Sequence, residues 1–398
     1  MSNSTNSLLA GSVKKHLREV QNKGLFRKAE ELQSRDQNTV IIDGRQLLNF
    51  SSNDYLGLSV HPQLIETINN CARAFGYGST ASPLVCGKTS VHTNLEKILA
   101  ERTGRDRALL FASGYQANLG LISALSKLPD MAFFIDRLCH ASIIDGVLLS
   151  RAKFKRFNHA DVADMDRLLR ESQDKVKLVL TEAVFSMDGD ISPLPQLVSV
   201  ASDHAAKLVV DDAHGFGIMG NKGAGTLSHF HLGQDSAPLM VGTFGKALGL
   251  QGAFVAGEDE LIELLVQCAR PYIYSTAMSI PLAAGVIESL KIIEDEPERI
   301  QRLFERINYF QQLCTDKGIQ SMNTNTPIQP IILGDSGAVM RSCEQLKDKG
   351  IFVVGIRPPT VPEGTARIRI SINSNHQPGE LDLLVDALAD VLKDKNNV

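Results

Sequence analysis

Short apolar strands alternate with helix-patterned segments through the middle of this chain, and no other feature of the sequence limits the fold as strongly. Residues 115–127 and 194–206 repeat apolar side chains with the period of a helix. The strand-like runs lie at 107–113, 132–136, 175–183, 207–214 and 238–244. Strands that alternate with helices predict a mostly parallel sheet covered on both faces. We therefore expect an α/β fold.

The two ends of the chain are predicted to fold differently from this middle part. A polar entry followed by a helix is expected within residues 1–30, with Leu17, Val20 and Leu25 on one face. Near residue 280 a long helical tract begins, and it is interrupted at Pro297. Strand-like runs follow it at 328–334, 350–356 and 366–373. This pattern predicts a smaller α+β lobe at the C-terminus.

These patterns suggest a division of the chain into three parts. Residues 1–50 would hold the N-terminal helix and a β-hairpin that turns at Asp43-Gly44. Residues 51–285 would form the large domain, and residues 286–398 the small one. A chain of 398 residues is long enough for a large core and a second lobe.

The bulk composition excludes several classes of function. The net charge is −4 and there is no long basic run, so neither nucleic acid nor a membrane surface is an expected partner. Six cysteines lie scattered without C-x-x-C spacing, which argues against a zinc site and against a secreted disulfide framework. We expect no metal ion. No signal peptide or membrane-spanning run is visible, so a cytoplasmic protein is expected.

Two glycine-rich segments resemble nucleotide sites only in part. CGKTS at 86–90 resembles the end of a P-loop, but Ser82 stands where that motif requires a glycine. GFGIMG at 215–220 matches the dinucleotide pattern G-x-G-x-x-G. That pattern needs a helix at its last glycine, and Gly220 leads into loop-like NKGAG. A glycine loop after a strand is the favoured interpretation.

SGYQANLG at 113–120 is a better candidate for binding an anion. It follows a predicted strand and enters an apolar helix. The first amides of a helix have no partner within it, and the helix dipole favours negative charge there. The segment therefore predicts a phosphate cradle formed by Ser113, Gly114, Tyr115 and Gln116.

Polar residues that follow the next predicted strands complete a constellation. His140 follows one strand, Asp211 and His214 follow another, and Lys246 lies between glycines beyond a third. The carboxyl ends of parallel strands form the ligand-binding edge of such a sheet. A phosphate cradle, an aromatic ring, a carboxylate for a pyridinium nitrogen and an amine for a Schiff base are what a pyridoxal-phosphate enzyme needs. The order of these residues predicts this cofactor, bound to Lys246.

Several motifs also resemble one family, the α-oxoamine synthases, from about residue 15 to the C-terminus. The resemblance implies the aspartate-aminotransferase-like fold (fold type I), pyridoxal 5'-phosphate, and the condensation of an amino acid with an acyl thioester with loss of carbon dioxide. Its motifs are NFSSNDYLGL at 49–58, SGYQANLG at 113–120, DRLCHASIIDG at 136–146, TEAVFSMDGDISPL at 181–194, VVDDAHGFGIMGNKGAG at 209–225, GTFGKALG at 242–249 and RPPTVPEGTARIRI at 357–370.

The resemblance also implies roles for residues around the cofactor. Lys246 would hold it as a Schiff base and later move the α-proton, and Asp211 would pair with the pyridinium nitrogen. His140 would stack on the ring and assist the thioester oxygen. Ser186 and His214 would lie at the phenolate oxygen. The phosphate would be held by Gly114, Tyr115 and Thr243, and by Ser275 or Thr276 of the other subunit of a homodimer.

For the substrates, the resemblance implies a second set of residues. Arg369 is the candidate for the amino-acid carboxylate, with Arg367 as its neighbour, and only one of the two is expected to face the site. Arg27 and Thr360 match positions that meet the acyl substrate. Within the family, residues 357–370 most resemble members that join L-alanine to a pimeloyl thioester, carried by CoA or an acyl-carrier protein.

Three other interpretations were weighed. Sister enzymes condense glycine or serine with another acyl-CoA. A catalytically silent partner subunit is disfavoured, because Lys246 and Asp211 are both present. A dinucleotide-dependent oxidoreductase would depend on GFGIMG. Two segments depart from the family pattern: GSTASPLVCG at 78–87, which leaves acyl specificity open, and Ala183, where glycine is common.

Overall fold

The computed structural model describes residues 2–22, 24–322 and 324–394, with side chains described at 8–22, 24–322 and 324–393. The strands are β1 (Ser34–Arg35), β2 (Thr39–Ile42), β3 (Arg45–Asn49), β4 (Arg107–Phe111), β5 (Met131–Asp136), β6 (Lys153–Phe157), β7 (Val176–Glu182), β8 (Ala206–Asp211), β9 (Leu239–Thr243), β10 (Ala253–Gly257), β11 (Ile328–Gly334), β12 (Ile351–Phe352), β13 (Val354–Ile356) and β14 (Ala366–Ser371).

The helices surround these strands. They are α1 (Ser2–Asn22), α2 (Pro62–Phe75), α3 (Ser90–Thr103), α4 (Gly114–Leu125), α5 (Ala141–Ser150), α6 (Val162–Arg170), α7 (Leu194–Asp203), α8 (Thr226–His229), α9 (Asp259–Cys268), α10 (Arg270–Ile273), α11 (Ile280–Asp295), α12 (Glu298–Asp316), α13 (Ser336–Asp348) and α14 (Pro378–Asp394). In the part of the chain that is described, no helix is both long and apolar enough to cross a membrane.

A seven-stranded sheet forms the centre of the fold, in the order β4-β10-β9-β8-β7-β5-β6. Neighbouring strands from β9 to β6 pair in parallel, and β10 is antiparallel to both of its neighbours. The predicted mostly parallel sheet is therefore confirmed. The five strand-like runs predicted in the middle of the chain all belong to this sheet, as β4, β5, β7, β8 and β9.

Alternate residues of each strand enter two separate cores, one on each face of the sheet. On β4, Leu109 packs with Ala117 of α4 and Ile262 of α9. Its neighbour Leu110 packs in the other core, with Leu95 of α3. Side chains of a strand point alternately to its two faces, so a strand buried on both faces must be apolar throughout. This requirement is why the central strands are continuous apolar runs.

Two strands of this sheet were not predicted. β6 lies at the edge, and its sequence KFKRF exposes most of its residues. Charged residues on an edge strand protect it from pairing with other chains, and they also remove the apolar signal. β10, AFVAG, is fully buried but short and rich in small residues, which have low strand propensity.

The C-terminal region has its own three-stranded antiparallel sheet, β11-β14-β13. The predicted strand at 350–356 is divided, because β12 pairs in parallel with β3 while β13 pairs with β14. The N-terminal hairpin is thereby joined to the C-terminal region. Helix α11 crosses the predicted boundary at 285–286, and the three-part division stays a prediction.

The predictions for the N-terminal segment are correct in part. The hairpin turns at Asp43 and Gly44, whose φ angles of 50° and 73° are those of a tight turn between strands. The helix is confirmed, and Leu17 and Val20 lie three residues apart on α1. The prediction for Leu25 was wrong, because it lies beyond the end of this helix. The break at Pro297 is confirmed, because it separates α11 from α12.

Candidate active site

The carboxyl ends of four parallel strands meet at one edge of the large sheet and surround a cavity of about 500 Å³. Because polar groups that follow these strands converge there, this edge is the expected binding site of a parallel sheet. The residues that line the cavity include Ser51, Asn53, Ser113, Gly114, Tyr115, Asn118, His140, Ser142, Glu182, Ser186, Asp211, His214, Thr243, Lys246 and Arg369.

The N-terminus of α4 forms the predicted anion cradle. The Ser113 hydroxyl caps the helix by accepting from the Gln116 amide at 3.2 Å. The amides of Gly114 and Tyr115 have no acceptor within the described residues. Thr243 faces them, and its buried hydroxyl oxygen has no partner there either. A Cβ at Gly114 would lie 2.7 Å from the Thr243 methyl carbon, so this close approach requires glycine.

Asp211 lies at the end of β8 and is 7% exposed. Its carboxylate accepts from the Asn118 amide group at 2.6 Å and from the Ala213 amide at 3.0 Å. No cation of the described chain lies within ion-pair distance of it. A buried carboxylate with only neutral donors is costly unless a cationic partner arrives. A protonated pyridine nitrogen would be such a partner.

Lys246 lies half-buried beyond β9 at the same cavity. Burial lowers the pKa of its ammonium group to about 8, although Asp211 and Glu182 act in the opposite direction. Its amine forms no ion pair or hydrogen bond within the described part of the chain. A lysine with a lowered pKa has a larger fraction of neutral, nucleophilic amine at neutral pH.

His140 directly precedes α5 as its N-cap, and both its backbone and its ring form hydrogen bonds. Its backbone amide donates to Glu182 Oε1 at 2.5 Å, and its Nδ1 lies 2.8 Å from the Ser142 hydroxyl. Burial lowers the pKa of the His140 ring. Burial and the neighbouring Asp211 raise the pKa of Glu182 well above the usual carboxyl range.

His214 lines the same cavity and lies against Tyr55. The Tyr55 hydroxyl is 2.7 Å from Nδ1 of His214, and both side chains are buried. Burial lowers the pKa of His214 well below its ordinary value, and the charges of Lys246 and Arg369 add to the effect. The ring is therefore neutral.

The adjacent glycine motif at 215–220 has a structural explanation. Asp212 is fully buried, and it accepts from the Thr226 amide at 2.5 Å and from the Thr226 hydroxyl at 2.7 Å. A Cβ at Gly215 or Gly225 would lie 2.2 or 2.3 Å from the Asp212 carboxylate. Gly220 enters a single helical turn at Asn221–Gly223, not the helix that a dinucleotide site requires. The glycines allow the loop to close on Asp212.

Arg369 and Arg367 differ in their partners. Arg369 lines the cavity, donates to the Ser186 carbonyl at 2.7 Å, and has no carboxylate partner among the described residues. Arg367 is paired with Asp188 at 2.5 Å. Of the two, only Arg369 lines the cavity. Strand alternation is not the reason, because residues two apart on a strand share a face. The ion pair with Asp188 holds Arg367, whereas Arg369 is left to face the cavity.

A second cavity of about 690 Å³ adjoins the first and shares His140, Ser186 and Met187 with it. The predicted acyl-substrate residues Arg27 and Thr360 both line this cavity. Two arginines that were not predicted, Arg137 and Arg156, line it as well. None of the three arginines forms an ion pair within the described residues.

Ser275 and Thr276 line neither of these two cavities. They precede Met278, whose carbonyl accepts from Ser79 Oγ at 2.5 Å and from His92 Nε2 at 2.8 Å. The divergent segment 78–87 is thereby fixed beside them. Thr276 itself is exposed.

Sequence reasoning missed several residues of this site, among them Asn53, Tyr55, Asn118 and Glu182. Two of them carried a usable signal. Asn118 lies four residues after Gly114, and therefore on the same face of α4. Glu182 ends β7 directly beside Asp211 in the sheet. Tyr55 and Asn53 lie in an irregular segment, whose side-chain directions have no periodicity to predict.

Four features of this cavity together fit pyridoxal phosphate. They are the Gly114 and Tyr115 amides without acceptors, the Thr243 hydroxyl without a partner, the Asp211 carboxylate without a cation among the described residues, and Lys246 with its lowered pKa. The first two suit its phosphate, Asp211 suits its pyridinium, and Lys246 suits its aldehyde.

Comparison with known proteins agrees with this geometry. Residues 45–388 match the family model of class I and II aminotransferases. The 8-amino-7-oxononanoate synthase of Methylococcus capsulatus is 46% identical over 94% of this chain and 97% of its own length. Further relatives at 45–47% identity carry the same name, including those of Cellvibrio japonicus and Thioalkalivibrio sulfidiphilus.

Solved structures show the same relationship. A serine palmitoyltransferase variant from S. paucimobilis, with a bound PLP–myriocin aldimine, superposes with a TM-score of 0.91 at 27% identity and covers 97% of this chain and 98% of its own. The 8-amino-7-oxononanoate synthase of Francisella tularensis has a TM-score of 0.76 at 31% identity and covers 88% of this chain and 99% of its own. This chain therefore belongs to the class I and II aminotransferase family and, within it, to the α-oxoamine synthases that include the 8-amino-7-oxononanoate synthases.

Proposed function

We propose that this protein condenses L-alanine with a pimeloyl thioester, forming 8-amino-7-oxononanoate, carbon dioxide and a free thiol, a reaction of biotin biosynthesis. The observation that supports it most is the convergence of Lys246, Asp211 and the α4 cradle on one cavity. The 46% identity to named synthases over nearly the whole chain supports the choice of substrates.

The cofactor is pyridoxal 5'-phosphate, which supplies an electron sink for negative charge at the α-carbon of the amino acid. Lys246 holds it covalently through Nζ. Asp211 pairs with its ring nitrogen, while the amides of Gly114 and Tyr115 and the Thr243 hydroxyl bind its phosphate. His140 stacks on its ring.

Further residues act on the amino acid. Ser186 and His214 lie at the phenolate oxygen of the cofactor. Arg369 binds the carboxylate of L-alanine, because its buried guanidinium has no acidic partner of its own among the described residues. Once free of the cofactor, the Lys246 amine would take the α-proton, and burial favours the neutral base that this proton transfer needs.

The two substrates meet where the two cavities join. His140 lines both cavities, so its ring lies where a thioester carbonyl would reach the α-carbon. A hydrogen bond from this ring would stabilise the negative charge that develops on the carbonyl oxygen. Arg27 and Thr360 bind the acyl donor along the second cavity.

The arginines of the second cavity suit an anionic carrier. Arg27, Arg137 and Arg156 lie around it without ion-pair partners in the described chain. Coenzyme A carries several phosphate charges, and the phosphopantetheine arm of an acyl-carrier protein carries one. Both would be attracted to this cavity.

We further propose a cytoplasmic homodimer in which Thr276 of each subunit reaches the cofactor phosphate of the other. The exposed position of Thr276 supports this arrangement. Large exposed side chains lie on the segments joined beside it, with Tyr77 73%, Val85 78% and Tyr274 69% exposed. Apolar surface of this kind commonly marks a protein interface.

A direct test of the function supplies the purified holoenzyme with pimeloyl-CoA and L-alanine, with glycine and serine in parallel. We expect thiol release that requires L-alanine, and one carbon dioxide from the alanine carboxyl group for each thiol. Faster thiol release with glycine or serine would assign the protein to a sister reaction of the family that uses that amino acid. No release with any of the three would contradict the proposed reaction.

The role of Arg369 is tested by Arg369→Lys, with Arg367→Lys as the matched control on the same face of β14. Lysine keeps the charge but loses the fork of two donors, so we expect KM for L-alanine to rise about tenfold or more. KM for pimeloyl-CoA and the visible absorbance of the cofactor should not change. An equal rise in the Arg367 variant would contradict this assignment.

The arginine-lined cavity is tested by Arg137→Gln and Arg156→Gln, with Arg170→Gln as the control, because the Arg170 side chain at the end of α6 is exposed and does not line the cavity. Exposed charge contacts are weak, so each cavity variant should raise KM for pimeloyl-CoA roughly two- to fivefold. Added salt should weaken donor binding less in the variants than in the unaltered enzyme. Unchanged KM values in both cavity variants would exclude this binding path.

A further inference from the structure

Tyr55 is a completely buried tyrosine behind two residues that line the active-site cavity, His214 and Asn53, and no step described above uses it. Its hydroxyl lies 2.7 Å from Nδ1 of His214 and 3.3 Å from Oδ1 of Asn53. A tyrosine hydroxyl has a single proton, so it can donate to only one of these two acceptors.

The contact with His214 is the better place for that proton. At 2.7 Å it has the length of a good hydrogen bond, whereas 3.3 Å is long for a hydroxyl donor. Asn53 Oδ1 already accepts from both terminal nitrogens of Arg369, each at 3.2 Å. Burial raises the pKa of Tyr55 to about 12, so its hydroxyl stays protonated.

This arrangement determines which nitrogen of His214 carries hydrogen. The ring is neutral, because burial and the nearby charges hold its pKa well below the ordinary value. A neutral imidazole has one N–H group. If Nδ1 accepts from Tyr55, the hydrogen must be on Nε2. That nitrogen forms no hydrogen bond within the described chain, and His214 lines the cavity.

We propose that Tyr55 is a positioning residue that fixes His214 in its Nε2–H tautomer, so that the ring presents a hydrogen-bond donor to the phenolate oxygen of the cofactor. This inference rests on the proposed function for the identity of the acceptor. The tautomer itself follows from the protein alone.

The backbone around Tyr55 is suited to this role because it is fixed on both sides. The Tyr55 amide donates to the Asn53 carbonyl at 2.8 Å, and its own carbonyl accepts from the Ser374 amide at 2.9 Å. Gly57 follows with a φ of 64°, and a Cβ there would lie 2.0 Å from the Asn375 side chain. The hydroxyl is therefore held by both the N-terminal and the C-terminal parts of the chain.

The first experiment compares Tyr55→Phe with the unaltered enzyme. The variant keeps the ring and loses the donor, so we expect about tenfold weaker binding of pyridoxal 5'-phosphate to the cofactor-free protein, as for the loss of one hydrogen bond. The visible absorbance band of the bound cofactor should shift, and so should the pH at which it titrates. Packing alone would move neither the band nor its titration.

Tyr309→Phe is the matched control, because its hydroxyl donates to Asp382 at 2.7 Å away from the cavity. This variant should bind the cofactor as the unaltered protein does, with the same band. Equal affinity and an unchanged band in Tyr55→Phe would overturn the inference. If the unaltered protein itself showed no visible band with cofactor, the proposed function would fail instead.

The second experiment needs neither the cofactor nor a folded Tyr55 variant. Nitrogen chemical shifts of ¹⁵N-histidine-labelled, cofactor-free protein distinguish the two neutral tautomers, and His214→Gln identifies the signals that belong to this ring. We expect His214 to carry its hydrogen on Nε2. A hydrogen on Nδ1 would overturn the inference, even if Tyr55→Phe did not fold.

Discussion

The buried carboxylate of Asp211 forms no ion pair with any described residue, and the rest of the site is arranged to bring it a cationic partner. Its two hydrogen bonds come from neutral donors, the Asn118 amide group and the Ala213 amide. A buried charge without a cationic partner costs several kcal/mol, and Asp211 faces the cavity through which such a partner can reach it. The neighbouring Lys246 carries a similar cost, because burial disfavours its charged ammonium form. A bound pyridinium aldehyde would relieve both costs, because it brings a cation to Asp211 and converts Lys246 to an imine.

The sheet that produces this edge could be predicted from the sequence because its strands are buried on both faces. Continuous apolar runs separated by helical segments permit few folds other than a parallel α/β sheet. The residues that directly follow those runs must then lie at one edge, which is why His140, Asp211 and Lys246 could be placed together. β6 and β10 were not predicted because their apolar signal is weak. β6 is an edge strand with mostly exposed charged residues, and β10 is a short run rich in small residues.

What the sequence could not give is the partner of each side chain. Arg367 and Arg369 are the same residue type on the same strand face, yet Arg367 pairs with Asp188 and only Arg369 lines the cavity. The contact between Tyr55 and His214 joins positions 159 residues apart, and no local pattern encodes such a distance. The motif GFGIMG shows that a local pattern can also mislead. It matches a nucleotide-binding pattern literally, yet its glycines allow a loop to close on Asp212. Local sequence patterns determine the helices and strands and the edge of the sheet where polar residues gather. Long-range contacts determine which of those polar groups remains free to bind a ligand.

The measurement that tests this account most directly is reduction of the holoenzyme with borohydride, followed by peptide mapping by mass spectrometry. Reduction makes the bond between a lysine and pyridoxal phosphate permanent, so the modified peptide identifies the attachment site. We expect a single phosphopyridoxyl group per chain on Lys246, and no such group in Lys246→Ala. A label on another lysine, or no label on a protein saturated with the cofactor, would contradict the central claim.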